Sequence, residues 1–314
     1  MLKYVARRLW EIVPTTAGIL LLTFALFNVV GGSPAEVILG KNASAESIAA
    51  FNRKWGYDKP LIFSTDSQFV RFVGDLVKGD FGYSVENQEP VAEVLKRGVG
   101  PSLSLTVPIL AGSVAAGLML AMLAAATRGG RVDRAVLVVS AALMSVNYVI
   151  WVLAGQFFLS YKAGWFPVWG YGGIAYLALP VLIGVLSSLG ADVRFFRTAI
   201  LDEIYKPYVL TARSKGLSRC RIMVVHVLRN ALIPVVTYVS LSIPYLFTGS
   251  LLLESFFGIP GLGSVSINAI HSSDMAVVRA VVVLGALLYQ FVNLITDLLY
   301  AALDPRVRIS GAAA

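Results

Sequence analysis

Apolar residues dominate six long stretches of the chain, near 9–30, 103–126, 135–160, 174–191, 232–254 and 277–302, each broken by few or no charges. About 20 such residues suffice for a helix to cross a bilayer. The pattern predicts an all-α membrane protein with six transmembrane helices. Two hydrophilic blocks interrupt it, one of about 70 residues after the first run and one of about 40 between the fourth and fifth.

The first run follows Met1, Lys3, Arg7 and Arg8, an order shared by signal peptides and first anchors. It is longer than the roughly 7–15 apolar residues of a signal peptide. It also ends in Val29-Val30-Gly31-Gly32-Ser33-Pro34, so an anchor is expected. An even number of spans puts both termini on one side, and basic residues resist translocation. With the termini inside, sixteen of the 26 Lys and Arg stay inside. Eight of the others lie in the 31–100 block, where nine acids offset them. Both termini are therefore expected in the cytoplasm. The chain divides into a cytoplasmic N-terminus with the first helix (1–30), an extracytoplasmic segment (31–100), a core of helices two to six (101–302) containing a cytoplasmic loop (192–231), and a cytoplasmic tail (303–314).

Composition agrees: 57% of the residues are hydrophobic and 14% charged, against about 25% charged in soluble domains. The net charge of +8 sits beside apolar runs, so the first partner is the lipid bilayer and no nucleic acid is expected. A single cysteine, Cys220, excludes an intramolecular disulfide. In the outer block Trp55, Tyr57, Phe63, Phe69, Phe72, Phe81 and Tyr83 supply something to bury, which suits a small folded excursion. That excursion is either a lid on the bundle or a part with a ligand of its own.

Candidate chemistry is mostly absent. Two histidines, His226 and His271, stand without a His-Glu-x-x-His or paired-carboxylate pattern, so no catalytic residue and no metal site is expected. Ion-coupled carriers keep ionisable groups inside their spans. Here Glu11 and Asp297 fall near the inner ends of spans 1 and 6, Glu254 near the outer end of span 5, and Asp192 with Arg194 at the inner end of span 4. The span interiors are left with neutral Asn28, Gln156, Gln290 and Asn293, which either line a path for a polar solute or bond helix to helix. The nearest phosphate-loop match, Gly40-Lys41, has Ala35 for the earlier glycine and Asn42 for the magnesium-binding hydroxyl, and it lies outside. Gly258, Gly261 and Gly263 cluster around Pro260 as turn residues. No cofactor bound by this chain is expected, and ATP hydrolysis by it is not.

The inner block is the most informative. In Asp202-Glu203-Ile204-Tyr205-Lys206-Pro207-Tyr208-Val209-Leu210-Thr211-Ala212-Arg213-Ser214-Lys215-Gly216, Pro207 suits a first helical position and Gly216 the residue past the end. Acids precede the start, and Arg213 and Lys215 close the last turn, matching the helix dipole. A helix of about two turns follows, with Tyr208, Thr211, Ala212 and Lys215 on one face. A second helix is expected from Ser218, its cap, through Arg229, running towards Pro234 and the fifth span. Such a projection either seats in a cleft of another protein or lies on anionic lipid.

The chain resembles the inner-membrane permeases of ATP-binding-cassette (ABC) importers, specifically the dipeptide, oligopeptide and nickel group. The resemblance rests on the opening Met1-Leu2-Lys3-Tyr4-Val5-Ala6-Arg7-Arg8-Leu9, on Gly79-Asp80-Phe81-Gly82, and on Tyr208 through Leu217. It continues through His226-Val227-Leu228-Arg229-Asn230-Ala231-Leu232-Ile233-Pro234, Gly261-Leu262-Gly263 and Leu303-Asp304-Pro305-Arg306. It implies that the inner loop is the family's "EAA" segment, with Thr211 and Ala212 at the two alanines, Gly216 at the glycine and Leu210 at the Glu. Pro207, Tyr208, Thr211, Ala212, Arg213, Lys215 and Gly216 would then dock an ATPase. Leu201-Asp202-Glu203-Ile204 and Phe247-Thr248-Gly249-Ser250-Leu251-Leu252-Leu253-Glu254 resemble a peptide sub-branch. Asn147 stands where the family often has Pro, and Ser273-Asp274-Met275-Ala276 where Arg-Asp-x-Pro is common.

The resemblance implies a non-catalytic permease subunit in the inner (plasma) membrane that imports peptides. Its partners would be a homologous second permease, two cytoplasmic ATPase subunits or domains holding ATP and Mg, and an extracytoplasmic solute-binding protein. The alternatives are a self-sufficient ion-coupled transporter or channel, a nickel-chelate permease, and an intramembrane enzyme.

Overall fold

A computed structural model describes residues 2–30, 35, 39, 43–55, 58–61, 64, 67–243 and 250–303. Gly40, Lys41, Asn42, Tyr57, Phe63, the 247–249 stretch and the tail from Asp304 lie outside the described residues, as do the side chains of Lys3, Arg7, Arg8, Trp55 and Asp297. Apart from one small hairpin the described elements are helical. In chain order they are α1 (Leu2–Ala25, continued by a π-helical turn Leu26–Val30), α2 (Ala45–Trp55), α3 (Gln68–Val77), the hairpin β1 (Tyr83–Ser84) and β2 (Glu89–Pro90), and α4 (Val91–Ala126). Then come α5 (Arg131–Ser145), α6 (Tyr148–Gly155, continued by Gln156–Lys162), α7 (Ile174–Ile204) and α8 (Pro207–Ser214). The last are α9 (Arg219–Ser240), α10 (Leu251–Phe257), α11 (Leu262–His271) and α12 (Met275–Leu303).

Among the described residues five unbroken helices are long and apolar enough to cross a membrane: Trp10–Asn28, α4, α7, α9 and Met275–Ile295. Two pairs pass only together, α5 with Tyr148–Lys162, bent by 90°, and α10 with α11, so the count lies between five and seven. The bend after α5 has a local cause. Val146 and Asn147 are extended, and the Asn147 side chain restarts the helix by accepting the Val149 amide at 2.9 Å. The fifth predicted span, 232–254, is not one helix. Its helix begins at Arg219 and closes at Ser240.

The chain forms two compact units, residues 1–100 with 261–314, and residues 101–260. In the first, α1 and α12 pack together, and the Thr16 hydroxyl donates to Gln290 Oε1 at 2.6 Å while Gln290 Nε2 donates to Thr15. The outer block is tied to α1 through Phe24, 1% exposed, whose ring meets Phe69 and Phe72 at centroid distances of 5.4 and 5.9 Å. Val91, Leu95, Leu262, Ala269, Val277 and Ala280 make this unit's buried cluster, with Phe81 against it. The hairpin is pinned by Asp274. Its buried carboxylate accepts the Ser84 hydroxyl at 2.6 Å and the Glu86 amide at 3.3 Å, and it also reaches the Val277 amide in the first turn of α12.

The second unit is organised around α7, which buries Leu179, Ile183, Val193, Phe196 and Ile200 against neighbouring helices. Gly190 lets α5 approach closely: a Cβ there would sit 2.6 Å from the Ser140 carbonyl oxygen. Arg197 then clamps the two helices, its Nε and Nη2 donating to the two oxygens of buried Asp133 at 2.8 and 2.9 Å. The bidentate geometry is the strong form of such a pair.

Candidate functional site

The inner segment is built by local rules. Lys206 is extended (ψ 148°), as the residue before a proline tends to be, and Pro207 opens α8 without wasting an amide. Glu203 braces the entry, accepting Lys206 Nζ at 2.5 Å and the Tyr208 hydroxyl at 2.6 Å. Burial, helped by this bond to a carboxylate, pushes the Tyr208 phenol up to about 12. At the other end Gly216 is left-handed (φ 76°); its amide donates to Arg213 O at 2.9 Å and the Leu217 amide to Ala212 O at 3.3 Å. These are the two bonds of a Schellman cap, and Leu217 packs on the cluster that contains Ala212, supplying the accompanying hydrophobic contact.

Tertiary packing decides which face is free. Val209 and Ala212, 1% and 7% exposed, join Ile222, Val227 and Ala231 of α9, Phe196 and Ile200 of α7, and Ala121 and Ala125 of α4 in one cluster. Tyr208 packs against its edge. Pro207, Thr211, Arg213, Lys215 and Gly216 are exposed. So is Leu210, at 68%, and so is Tyr205 just before the helix, at 66%, with the Arg128 guanidinium 4.9 Å from its ring centroid. The face shared by Tyr208, Thr211, Ala212 and Lys215 in the sequence pattern is thus split between core and surface. The second helix starts at the Ser218 cap, passes through a π-helical stretch, Ile222–Val227, and runs on beyond Arg229 and Pro234 to Ser240.

A cavity of about 400 Å³ opens in the same unit. Its wall is rich in hydroxyls, among them Ser113, Tyr148, Ser187, Ser188 and Tyr238, and it carries one carboxylate, Asp192. That carboxylate is buried and accepts the Tyr238 hydroxyl at 2.9 Å. Asp192 is not at the end of its helix, because no glycine or proline follows to stop α7 before Ile204. The helix that carries it runs on for about three further turns, through Arg194 and Arg197, to Ile204. Three of the four neutral amides, Asn293 being the fourth, are engaged inside the protein: Asn28 donates to Gln68 at 3.3 Å, Gln290 bonds Thr15 and Thr16, and Gln156 donates to the carbonyls of Val168 and Phe256, each at 2.9 Å. None of the three lines the cavity, and their observed bonds join elements.

Comparison with known proteins identifies the family. Residues 117–309 match the family model of the binding-protein-dependent transport system inner membrane component, and residues 1–106 match that of its N-terminal part. The chain belongs to this family. It is a multi-pass inner-membrane permease component of an ABC importer, in the peptide and oligopeptide group. The permease is similar to the glutathione transport system permease protein GsiC of Shigella flexneri serotype 5b (strain 8401), 33% identical over 311 residues that cover 98% of this chain and 99% of that one. It is equally similar, at 33% over 309 residues and with the same shares, to GsiC of Escherichia coli strain K12 and of Salmonella choleraesuis strain SC-B67.

Within the permease, the residues singled out by the sequence sit together on α8 and its cap, with Ala212 facing inward and the others exposed or half-buried. Two groups escaped that reading. Leu210 and Tyr205 are large apolar side chains left in the open beside α8; the helical pattern alone does not separate them from Val209. Asp192 was visible as an acid within an apolar helix, which is itself a functional signal.

Proposed function

We propose that this permease imports short peptides of about the size of glutathione, and that it does so as one half of a translocation path completed by a homologous second permease. The observation that supports the substrate class is the 33% identity, over 98% of the chain, to permeases of glutathione transport systems. The size of the cavity, about 400 Å³, falls in the range of about 300–1,000 Å³ usual for small-molecule sites.

The solute arrives from an extracytoplasmic binding protein, and energy arrives from two ATPase subunits or domains that bind ATP and Mg. Both termini lie in the cytoplasm, so α8 faces the ATPases. Pro207, Thr211, Leu210, Arg213 and Lys215 present the docking surface, and Tyr208 and Ala212 fasten it to the body of the unit. ATP binding closes the ATPase dimer and draws the coupling helices together, turning the path outward; hydrolysis resets it. A helix wedged into a core transmits such a push with little loss, because packed interiors deform sparingly.

The test is uptake of radiolabelled glutathione and trialanine into proteoliposomes. Vesicles that hold the permease with its co-expressed partners accumulate peptide when ATP and Mg are inside, and vesicles that hold the permease alone do not. Accumulation by the solitary chain under an ion gradient contradicts the division of labour, and failure of the complete importer to take up either peptide contradicts the substrate class.

A further inference from the structure

The cavity holds a carboxylate that pairs with no cation among the described residues. Asp192 is 4% exposed, and it takes no part in the ion pairs seen elsewhere, such as Arg197 with Asp133 and Lys206 with Glu203. A carboxylate held away from water is costly unless a cation or several donors meet it, and in membrane helices such groups face a partner or a pathway. Tyr238 provides one donor at 2.9 Å, its ring fixed by stacking on Phe195 at a centroid distance of 4.5 Å, and the Ser113 hydroxyl provides a second, so the carboxylate is met by two neutral donors and by no cation among the described residues.

The nearby wall offers acceptors as well. The hydroxyls of Ser187 and Ser188 both spend their protons on the Gly184 carbonyl at 2.8 Å, so what each has left to offer is lone pairs. A carboxylate flanked by lone pairs complements a compact cation rich in donors. A primary ammonium, with one positive charge and three N–H groups, has that chemistry, and every short peptide with a free N-terminus carries one.

We propose that the cavity is a station for the protonated amino group of the transported solute, with Asp192 as its counter-charge and Tyr238 holding the carboxylate in place. The proposal rests on the peptide reading above and adds the feature of the peptide that is recognised. Binding there is weak and is released when the unit rearranges, since one charge pair in a polar cavity is no tight site.

Saturation-transfer NMR on the complete importer in nanodiscs, without binding protein, tests it with trialanine and N-acetyl-trialanine. Wild type saturates trialanine at least fivefold more than the acetylated peptide, and Asp192→Asn erases that difference while still co-purifying with its partners. Equal saturation of the two peptides by wild type overturns the proposal without recourse to any variant. So does an Asp192→Asn protein that keeps the difference. Uptake of trialanine or glutathione by an importer that shows no discrimination sinks the amine station and leaves the peptide reading standing; no uptake of either peptide sinks both.

Discussion

The amide of Leu217 donates to the carbonyl of Ala212 at 3.3 Å, across a left-handed Gly216, and so ends α8 while folding the chain back onto the core that holds it. A Cβ at Gly216 would meet nothing within 4 Å, so conformation and not space makes glycine fit there. The left-handed region costs an L-residue roughly 1–2 kcal/mol, and asparagine less than most. Gly216→Val is expected to reduce peptide uptake at least tenfold with membrane insertion intact, and Gly216→Asn to keep at least half. Normal transport by the valine variant would show that the cap does not carry the coupling motion.

The Asp133–Arg197 clamp is nearly closed to solvent, with side-chain exposures of 4% and 17%. Removing one partner of such a pair strands the other, at a cost of about 3 kcal/mol. Arg197→Met is expected to lower the unfolding midpoint of the detergent-solubilised protein, and Asp133→Leu combined with Arg197→Met to recover most of the loss. A double variant as unstable as the sum of the singles would mean that the two side chains act independently.

Asp274 joins two elements that hydropathy treats as unrelated, the outer hairpin and the first turn of α12. Asp274→Ala removes a helix cap worth about 1 kcal/mol and leaves the Ser84 hydroxyl without its acceptor. Limited proteolysis at residues 85–88 is expected to quicken several-fold in this variant and by less in Asp274→Asn. Unchanged cleavage in both would show that the hairpin is held by other contacts.

Tyr208 sets a limit in alkali. Its phenol titrates higher in the folded protein, about 12, than its ordinary 10.0, so the neutral form is the one the fold favours. The resulting stabilisation is complete below pH 10 and is lost as pH rises toward 12. Phenolate absorbance compared with Tyr208→Phe is expected to show one tyrosine still protonated above pH 10. Titration of that tyrosine at its ordinary value would remove the proposed hold of Glu203 on α8.

The sequence determined what depends on near neighbours along the chain. Long apolar runs dictate membrane helices, and Pro207 and Gly216 set the ends of α8 because each acts through its own backbone. Asn147 was legible as a departure from proline, yet its use as a cap that restarts a bent helix required its neighbours' dihedral angles. Tertiary structure alone decided that Val209 and Ala212 turn inward while Leu210 stays in the open, since three helices far apart in sequence, α4, α7 and α9, must converge to bury them. It also decided that residues 261–303 fold with the first hundred, that Gln156 and Gln290 join helices, and that Asp192 meets Tyr238 on a cavity wall. Contacts between residues 46 positions apart leave no periodic trace in hydropathy, because they arise from how helices pack and not from which face each residue occupies on its own helix.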